Sequence, residues 1–180
     1  MGSEQRSDAN WLIHRKKSYS DPMFKTADLY DAHTDEVHVV APMLRHFGGL
    51  QRFCGPMVTL KVYEDNLLVH EQLTESGAGR VIVIDGAGSL RAAIVGDILV
   101  QRAKDMGYSG YVINGCVRDL SDCGRIAIGV MALASNPTRP KKKGFGERGA
   151  PVAFGGVKFT PGEWLYADED GVLVCARKLD

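Results

Sequence analysis

The stretch GRVIVIDGAGSLRAAIVGDILVQRAKDMGYSGYVINGCVRD, residues 79–119, decides the fold of this chain. The apolar run at 80–86 is typical of a buried strand that ends in a turn. Residues 97–107 have helical spacing, with Asp97 as the cap and Gly107 as the stop. The apolar run at 110–117 predicts the next strand, so the stretch indicates an α/β domain.

The flanking segments add short elements to this centre. The elements that we predict are helices over 26–33 (capped by Thr26), over 37–49 and from Asp65 or Asn66 to Gly77, strands over 56–64 and 125–135, a long loop over 136–152, and three strands within 157–176. The sequence shows no internal repeat and no linker between domains. We therefore expect a single domain over residues 23–180, preceded by a polar N-terminal segment, residues 1–22, that is a candidate for disorder.

Composition narrows the class of protein. The 22 basic and 22 acidic residues balance, so no overall positive charge indicates nucleic-acid or membrane binding. The aliphatic runs are far shorter than the roughly 20 residues that span a bilayer. The four cysteines are scattered without a C-x-x-C spacing, which favours reduced thiols. We expect a cytoplasmic enzyme or binding protein.

Three motifs suggest other functions, and each has a simpler explanation. The glycines at 85–90 lack the third glycine of a dinucleotide loop, and an apolar, strand-like run follows, so we favour a tight structural turn. His33 and His38 are five residues apart and would point to different faces of a helix, which disfavours zinc binding. The three lysines at 141–143 have no interleaved aromatic residues and are typical of a solvated loop.

The end of the decisive stretch contains the candidate site. Gly96 and Asp97 stand at a strand-to-helix junction, where free backbone N–H groups and a partial positive charge suit a small carboxylate. Arg118 and Asp119 follow the next strand, and the ends of consecutive parallel strands lie at one edge of a sheet. An anion held after Gly96 could therefore meet the Arg118 guanidinium.

The acidic residues beside Arg118 have two interpretations. Asp119 could offer an oxygen ligand to a hard divalent cation, and Asp122 could orient water bound to that cation. The same residues could equally form a surface salt bridge and a helix cap. The residues alone leave both interpretations open.

Four segments together resemble the RraA-like family: FGGLQRFCGPMVTLKVYEDNLLVHEQL (47–73), the opening stretch (79–119), AIGVMALAS (127–135) and GEWLYADEDGVLV (162–174). The resemblance extends over about residues 26–178. It implies a β/β/α swivelling-type sandwich that assembles as a homotrimer or a dimer of trimers, with sites at subunit interfaces. The chain is similar in length to the shorter members, which leaves open the origin of any acidic residue from a neighbouring subunit.

The family contains two functional classes. One is a regulator that binds and inhibits ribonuclease E. The other is a class II aldolase that cleaves 4-hydroxy-4-methyl-2-oxoglutarate or 4-carboxy-4-hydroxy-2-oxoadipate to pyruvate and also decarboxylates oxaloacetate. The aldolases are marked by a glycine, an Arg–Asp pair and a further acidic residue, which correspond here to Gly96, Arg118, Asp119 and Asp122. The resemblance therefore favours the enzyme, with the regulator as the alternative.

The resemblance also implies roles for the candidate residues. A small 2-oxo acid would bind with its carboxylate at the N–H groups of Asp97, Ile98 and Leu99. Mg²⁺ or Mn²⁺ would be held directly by Asp119 and through water by Asp97 and Asp122. Arg118 would bind the substrate and donate to the enolate oxygen that develops during cleavage.

Overall fold

The computed structural model describes residues 24–179. The predicted N-terminal segment, residues 1–22, lies outside the described residues, so the division of the chain at that point stays a prediction. Among the described residues, no helix is both long enough and apolar enough to cross a membrane. All four cysteines are free, in line with the prediction of reduced thiols, and three of them are buried.

Short helices alternate with strands along the described chain. The helices are α1 (Thr26–Ala32), α2 (Leu67–Gln72), α3 (Asp97–Asp105) and α4 (Leu120–Cys123). The strands are β1 (Val37–Val39), β2 (Arg45–His46), β3 (Phe53–Val62), β4 (Val81–Asp85), β5 (Ala93–Val95), β6 (Gly110–Val117), β7 (Gly129–Ser135), β8 (Gly146–Arg148), β9 (Val152–Phe154), β10 (Val157–Phe159), β11 (Trp164–Ala167) and β12 (Val172–Cys175).

Most of these strands join one sheet, in the order β1-β12-β11-β3-β4-β6-β7-β2. Its centre is parallel, since β4 pairs with β3 and β6, and β6 pairs with β7. The antiparallel strands β11, β12 and β1 extend the sheet beyond β3. Strand β5 adds to the end of β6 in parallel, and β9 and β10 form a separate hairpin. Because β5 and β6 are parallel, their carboxyl ends lie at the same edge.

The central sheet is buried on both faces, as the continuous apolar run of β4 predicts. Ile82 and Ile84 belong to one core cluster together with Val69 of α2 and Val100 of α3. The alternate side chains of β4 belong to a second cluster, which contains the β9–β10 hairpin and parts of β11 and β12. Helices on one face and antiparallel strands on the other make the three layers of the expected α/β sandwich.

Several local predictions were wrong. The segment 37–49 is not a helix: it forms β1 and β2, which pair with β12 and β7 from the distant C-terminal half. The helix from Asn66 ends at Gln72, well before Gly77. The segment 136–152 is not entirely a loop, because it contains β8, which pairs with β3. Long-range pairing overrode the local pattern in the first and last of these cases.

The two predicted capping residues are also not caps. Lys25 occupies the cap position of α1 and Gly96 that of α3, so Thr26 and Asp97 are the first helical residues. The backbone N–H of Thr26 donates to Asp168 Oδ2 at 2.7 Å, and its hydroxyl donates to Asp168 Oδ1 at 2.5 Å. A carboxylate from the turn between β11 and β12 thus takes the place of a local cap on α1.

This buried carboxylate is expected to make stability depend on pH. Burial alone would raise the pKa of Asp168, but hydrogen bonds from Thr26 and from the backbone of Asp170 and Gly171 outweigh burial and lower it. A depressed pKa stabilises the folded state above the unfolded value of about 3.9, and the contribution is lost as the pH falls through the folded pKa. We expect Asp168→Asn to lower the free energy of unfolding at pH 7 by about 1–3 kcal/mol.

Urea unfolding at neutral pH and again well below the ordinary aspartate pKa measures this effect. The difference between the wild type and Asp168→Asn should shrink at the acidic pH, where the wild-type carboxyl is protonated as well. The exposed Asp170 in the same turn, replaced by Asn, is the matched control. A difference of equal size at both pH values would contradict the assignment.

Candidate functional site

A cleft of about 440 Å³ opens at the edge where β5 and β6 end. One side of it, here called the near wall, contains all the residues that were predicted to form the site: Gly96, Asp97, Ile98, Leu99, Arg118, Asp119 and Asp122. The opposite side, the far wall, consists of Asn66, His70, Arg139, Pro140 and Lys142. The structure therefore brings the predicted residues together, while their chemical roles stay predictions.

The start of α3 gives the near wall its hydrogen-bond donors. Gly96 has an extended backbone, with φ −133° and ψ −175°, and the helix begins at the next residue. The N–H of Leu99 donates to the carbonyl oxygen of Gly96 at 3.0 Å. The prediction that the N–H of Leu99 is free to bind an anion is therefore wrong. The N–H groups of Asp97 and Ile98 have no partner among the described residues. The anion site at this helix terminus has two backbone donors rather than three.

Gly96 is required by the close approach of two side chains. A β-carbon at this position would lie 2.6 Å from Asp119 Oδ2 and 3.0 Å from Arg118 Cγ. Contacts shorter than van der Waals distance force a shift of one partner or the other. The absence of a side chain at Gly96 thus lets the Arg–Asp pair lie directly against the start of α3.

We expect Gly96→Ala to reduce turnover at this site by about 10²-fold, because displacements near 1 Å of catalytic groups have effects of that size. The extended backbone suits alanine, so the thermal unfolding midpoint should change little. The control is Gly156→Ala in the β9–β10 turn, where an added β-carbon would meet no atom within 4 Å. Because its φ is +78°, alanine there strains the backbone, but turnover at the cleft should not change. Full activity of Gly96→Ala would contradict the close-approach argument.

Arg118 is held in place by its backbone. Its N–H donates to the carbonyl of Val95 at 3.0 Å, and its carbonyl accepts the thiol of Cys123 at 3.3 Å. Its Nε donates to Asp119 Oδ2 at 3.0 Å. The terminal guanidinium N–H groups have no partner among residues 24–179, so they are available to an anion in the cleft.

Asp119 has an unusual backbone conformation. Its φ of 59° and ψ of 45° lie in the left-handed region, which costs energy for a residue with a β-carbon. Its carbonyl accepts the N–H groups of Asp122 and Cys123, and these bonds fix the turn into α4. While Oδ2 accepts from Arg118, Oδ1 has no hydrogen-bond partner within the described part of the chain.

The thiol of Cys123 lies close to the carboxylates of the near wall. Burial raises the pKa of this thiol, and the carboxylates of Asp97, Asp119 and Asp122 raise it further, to about 11. The thiol therefore stays protonated and acts as a hydrogen-bond donor, not as a nucleophile. The three carboxylates all act on this one atom, which places negative charge on the same side of the cleft.

Asp122 has the most exposed carboxylate of the predicted site residues. Its Oδ1 accepts from Arg125 Nη1 at 3.4 Å, across one turn of the chain, and both side chains are largely in solvent. Exposed pairs of this kind contribute little to stability. Asp122 is consequently free to turn toward a ligand, and its predicted role through water is compatible with this position.

The donor set fits some metals better than others. Within the described residues, no three His, Cys, Asp or Glu side chains group closely enough to form a metal cage. Zn²⁺ needs such a cage, whereas Mg²⁺ keeps several waters and binds through one or two carboxylates. Asp119, with Oδ1 unpartnered, suits an ion of the second kind, and Mn²⁺ shares its preference for oxygen ligands.

The sequence did not predict the far wall. Lys142 belongs to the lysine cluster that was interpreted as a solvated loop, yet it lines the cleft. His70 is on α2, and burial lowers its pKa, as do the positive charges of Lys142 and Arg102. Asn66 Nδ2 donates to the carbonyl of Ile94 at 3.1 Å and ties α2 to β5. The only sequence signal was the position of Asp65 and Asn66 at a strand end, where pockets form.

The predicted turn after β4 is confirmed as a structural element. Ala87 and Gly88 have φ values of 54° and 66°, and the chain continues into β5 rather than into a helix. A dinucleotide loop would require a helix N-terminus at this point.

The comparisons with known proteins agree on the family. The family model RraA-like (Aldolase/RraA) matches residues 26–174. A relative from Burkholderia multivorans, provisionally named 4-hydroxy-4-methyl-2-oxoglutarate aldolase, is 49% identical over 161 residues, which are 87% of this chain and 98% of the relative.

Two solved structures have the same fold but different names. One, titled S-adenosylmethionine:2-dimethylmenaquinone methyltransferase, from Geobacillus kaustophilus, is 45% identical with a TM-score of 0.85 and covers 87% of this chain and 97% of its own. The other, titled the RNA-processing inhibitor RraA, from Thermus thermophilus, is 41% identical with a TM-score of 0.84 and covers 87% and 95%. Relatives of similar closeness thus have three different names, and the chemistry of the site has to decide between them.

Proposed function

Because the chain belongs to the RraA-like family, we propose that it is a lyase that cleaves 4-hydroxy-4-methyl-2-oxoglutarate, or a related 4-hydroxy-2-oxo acid, to pyruvate. Decarboxylation of oxaloacetate is the proposed second activity. One observation carries the proposal: Gly96, Arg118, Asp119 and Asp122 line a single cleft beside the free N–H groups of α3. By the family resemblance, that set marks the aldolases.

The near wall would bind the 2-oxo acid half of the substrate. The N–H groups of Asp97 and Ile98 would donate to its carboxylate, helped by the positive end of α3. The terminal N–H groups of Arg118 would donate to the keto oxygen. Because Arg118 is fixed by its bonds to Asp119 and Val95, these donors would already be in place before charge develops on that oxygen.

A divalent cation, Mg²⁺ or Mn²⁺, would be held directly by Asp119 and through water by Asp97 and Asp122. When bound, it would supply Lewis-acid stabilisation of negative charge on the substrate. Asp119 fits the direct role because Arg118 contacts only its Oδ2, while its Oδ1 has no hydrogen-bond partner among the described residues.

In cleavage of the proposed substrate, each bond that breaks is matched by a bond that forms. The 4-hydroxyl would lose its proton to a water molecule in the cleft, a C4=O double bond would form, and the C3–C4 bond would break. The electron pair moves into the enolate of pyruvate, whose oxygen accepts from Arg118, and a proton then adds at C3. C4, with its methyl and carboxylate groups, leaves as a second pyruvate. In oxaloacetate the same bond position breaks with loss of CO₂, and the same enolate forms.

Lys142 raises the question of a Schiff base, since it lines the cleft although the lysines at 141–143 are typical of a solvated loop. Schiff-base lysines are activated by desolvation or by a nearby cation. Lys142 is exposed, so it does not have the desolvated environment that this chemistry needs. Arg139 on the same wall is also exposed, and solvent screens the effect of its charge on Lys142.

We also propose the implied assembly as a trimer or a dimer of trimers in the cytoplasm. Ile98, at the mouth of the cleft, is 74% exposed, and a neighbouring subunit would cover it. Light scattering gives the mass of the assembly directly. A monomer at assay concentrations would contradict this part.

The second candidate is a regulator that binds and inhibits a ribonuclease or another protein partner without catalysis. The similarity to the RNA-processing inhibitor from Thermus thermophilus favours it. In that case partner binding would survive changes to Arg118 and Asp119, and the chain would release no pyruvate.

The test is product analysis with both proposed substrates. We expect two pyruvates from each 4-hydroxy-4-methyl-2-oxoglutarate, one pyruvate and CO₂ from oxaloacetate, and no inactivation by borohydride in the presence of substrate. Borohydride inactivation that Lys142→Met prevents would replace the metal-assisted route with a Schiff base. Absence of pyruvate from both substrates, with folded protein, would favour the regulator.

A further inference from the structure

The far wall contains two cations that have no acidic partner. Arg139 and Lys142 are exposed at the cleft, and no carboxylate oxygen of the described residues lies within 4.0 Å of either side chain. By contrast, Arg148, from the next strand along the chain, pairs with Glu75 at 2.5 Å. Two unpaired cations on one wall leave the cleft positively charged on that side.

His70 lies beside these cations and adds no negative charge to the wall. It lines the same wall, and burial together with Lys142 and Arg102 lowers its pKa. A neutral imidazole at physiological pH neither adds to the charge of the two cations nor repels an anion. The cleft is therefore polarised, with carboxylates on the near wall and positive charge on the far wall.

The loop that carries Lys142 is fixed, even though it is rich in lysine, proline and glycine. Asp65 is 1% exposed, and its carboxylate accepts the backbone N–H groups of Lys143, at 2.5 Å, and Gly144, at 3.2 Å. The backbone of Lys141 pairs with the same strand end, since its N–H donates to Glu64 and its carbonyl accepts Asn66. These bonds hold the loop on both sides of Lys142.

We propose that Arg139 and Lys142 form the subsite for the carboxylate on C4 of the substrate, and that Asp65 positions the loop for this purpose. The inference rests on the proposed function and assigns the part of the substrate that the near wall does not bind. With the 2-oxo acid end at the near wall, the group beyond the C3–C4 bond extends toward the far wall. A carboxylate there finds two unpaired cations, whereas an uncharged group leaves them without a partner.

The kinetic test compares two substrates that differ by one group. 4-Hydroxy-2-oxopentanoate has a hydrogen on C4 where 4-hydroxy-4-methyl-2-oxoglutarate has the carboxylate. Lys142→Met and Arg139→Gln are each expected to lower kcat/KM for the diacid about tenfold or more, mainly through KM, since each removes a charged hydrogen bond. Both should change kcat/KM for the monoacid less than about twofold, because the near wall is untouched.

The same loop supplies the matched control. Lys143 is adjacent to Lys142 and exposed, but it does not line the cleft, and only its backbone N–H contacts Asp65. Lys143→Met should leave both substrates unchanged. If Asp65 is a positioning residue, Asp65→Ala should reproduce the diacid-selective rise in KM. A purely structural effect would lower kcat for both substrates together.

A binding measurement separates this inference from the proposed function. Calorimetry with Mg²⁺ compares 2-oxoglutarate with 2-oxopentanoate, which has a methyl group in place of the distal carboxylate. We expect the diacid to bind about tenfold or more tightly, and Lys142→Met to remove that preference. This result would support the subsite even if the wild type released no pyruvate. Equal binding of the two acids by the wild type, or equal weakening of both in Lys142→Met, would overturn it.

Discussion

Asp119→Asn is expected to abolish pyruvate release, with kcat/KM lower by about 10³-fold or more. Asp119 is the one residue proposed to hold the cation directly, and its Oδ1 has no competing partner among the described residues. An amide oxygen is a much weaker ligand for a hard cation than a carboxylate. Pyruvate release coupled to lactate dehydrogenase measures the loss.

Asparagine is the informative substitution because it separates charge from conformation. Asp119 has φ 59°, a conformation that asparagine tolerates better than most residues. The amide oxygen can also still accept from Arg118 Nε, so the turn should persist. Asp119→Ala would add a conformational cost of about 1 kcal/mol to the loss of charge. The control is Asp28→Asn, on the exposed side of α1. If Asp119→Asn kept more than a tenth of the wild-type activity, the direct-ligand role would be contradicted.

Arg118→Lys is expected to lower kcat by about 10²–10³-fold, the size reported for loss of one donor to a developing oxyanion. Lysine keeps the positive charge but not the planar fork, in which Nε contacts Asp119 while the terminal N–H groups face the cleft. The effect should fall on kcat more than on KM, because the donation strengthens as the enolate forms. Steady-state kinetics with both proposed substrates measure this split.

The control is Arg45→Lys on the exposed strand β2, which shows whether an arginine-to-lysine substitution away from the cleft alters turnover. Added guanidinium ion should partly restore activity to Arg118→Ala and not to Asp119→Asn, since only the first variant leaves space for it. A rise in KM alone, with kcat intact, would reduce Arg118 to a residue that binds the ground state.

The near wall could be predicted because its positions are set by local patterns. The apolar run of β4, the helical spacing of α3 and the apolar run of β6 are each visible within 10 residues. Parallel pairing then fixes where Gly96 and Arg118 lie, because the ends of β5 and β6 share one edge. The topology of the sheet therefore fixes the location of the residues that follow each strand.

Other features depend on contacts that local patterns do not contain. Strand β1 exists because Val37 pairs with Cys175, from the far end of the chain. The left-handed conformation of Asp119 has no signal at a residue other than glycine. The position of Lys142 depends on Asp65, more than seventy residues earlier, so a loop that is typical of solvent became one wall of the cleft. For strand β1 and for Lys142, a distant partner decided the outcome.

The measurement that tests the account most directly is pyruvate release from 4-hydroxy-4-methyl-2-oxoglutarate by the wild type with Mg²⁺, after EDTA, and after Mg²⁺ is restored, with Asp119→Asn in parallel. We predict turnover with Mg²⁺, loss with EDTA, recovery on re-addition, and none at any step for Asp119→Asn. Turnover that persists in EDTA, or that Asp119→Asn retains, would contradict a metal-assisted cleavage at this cleft.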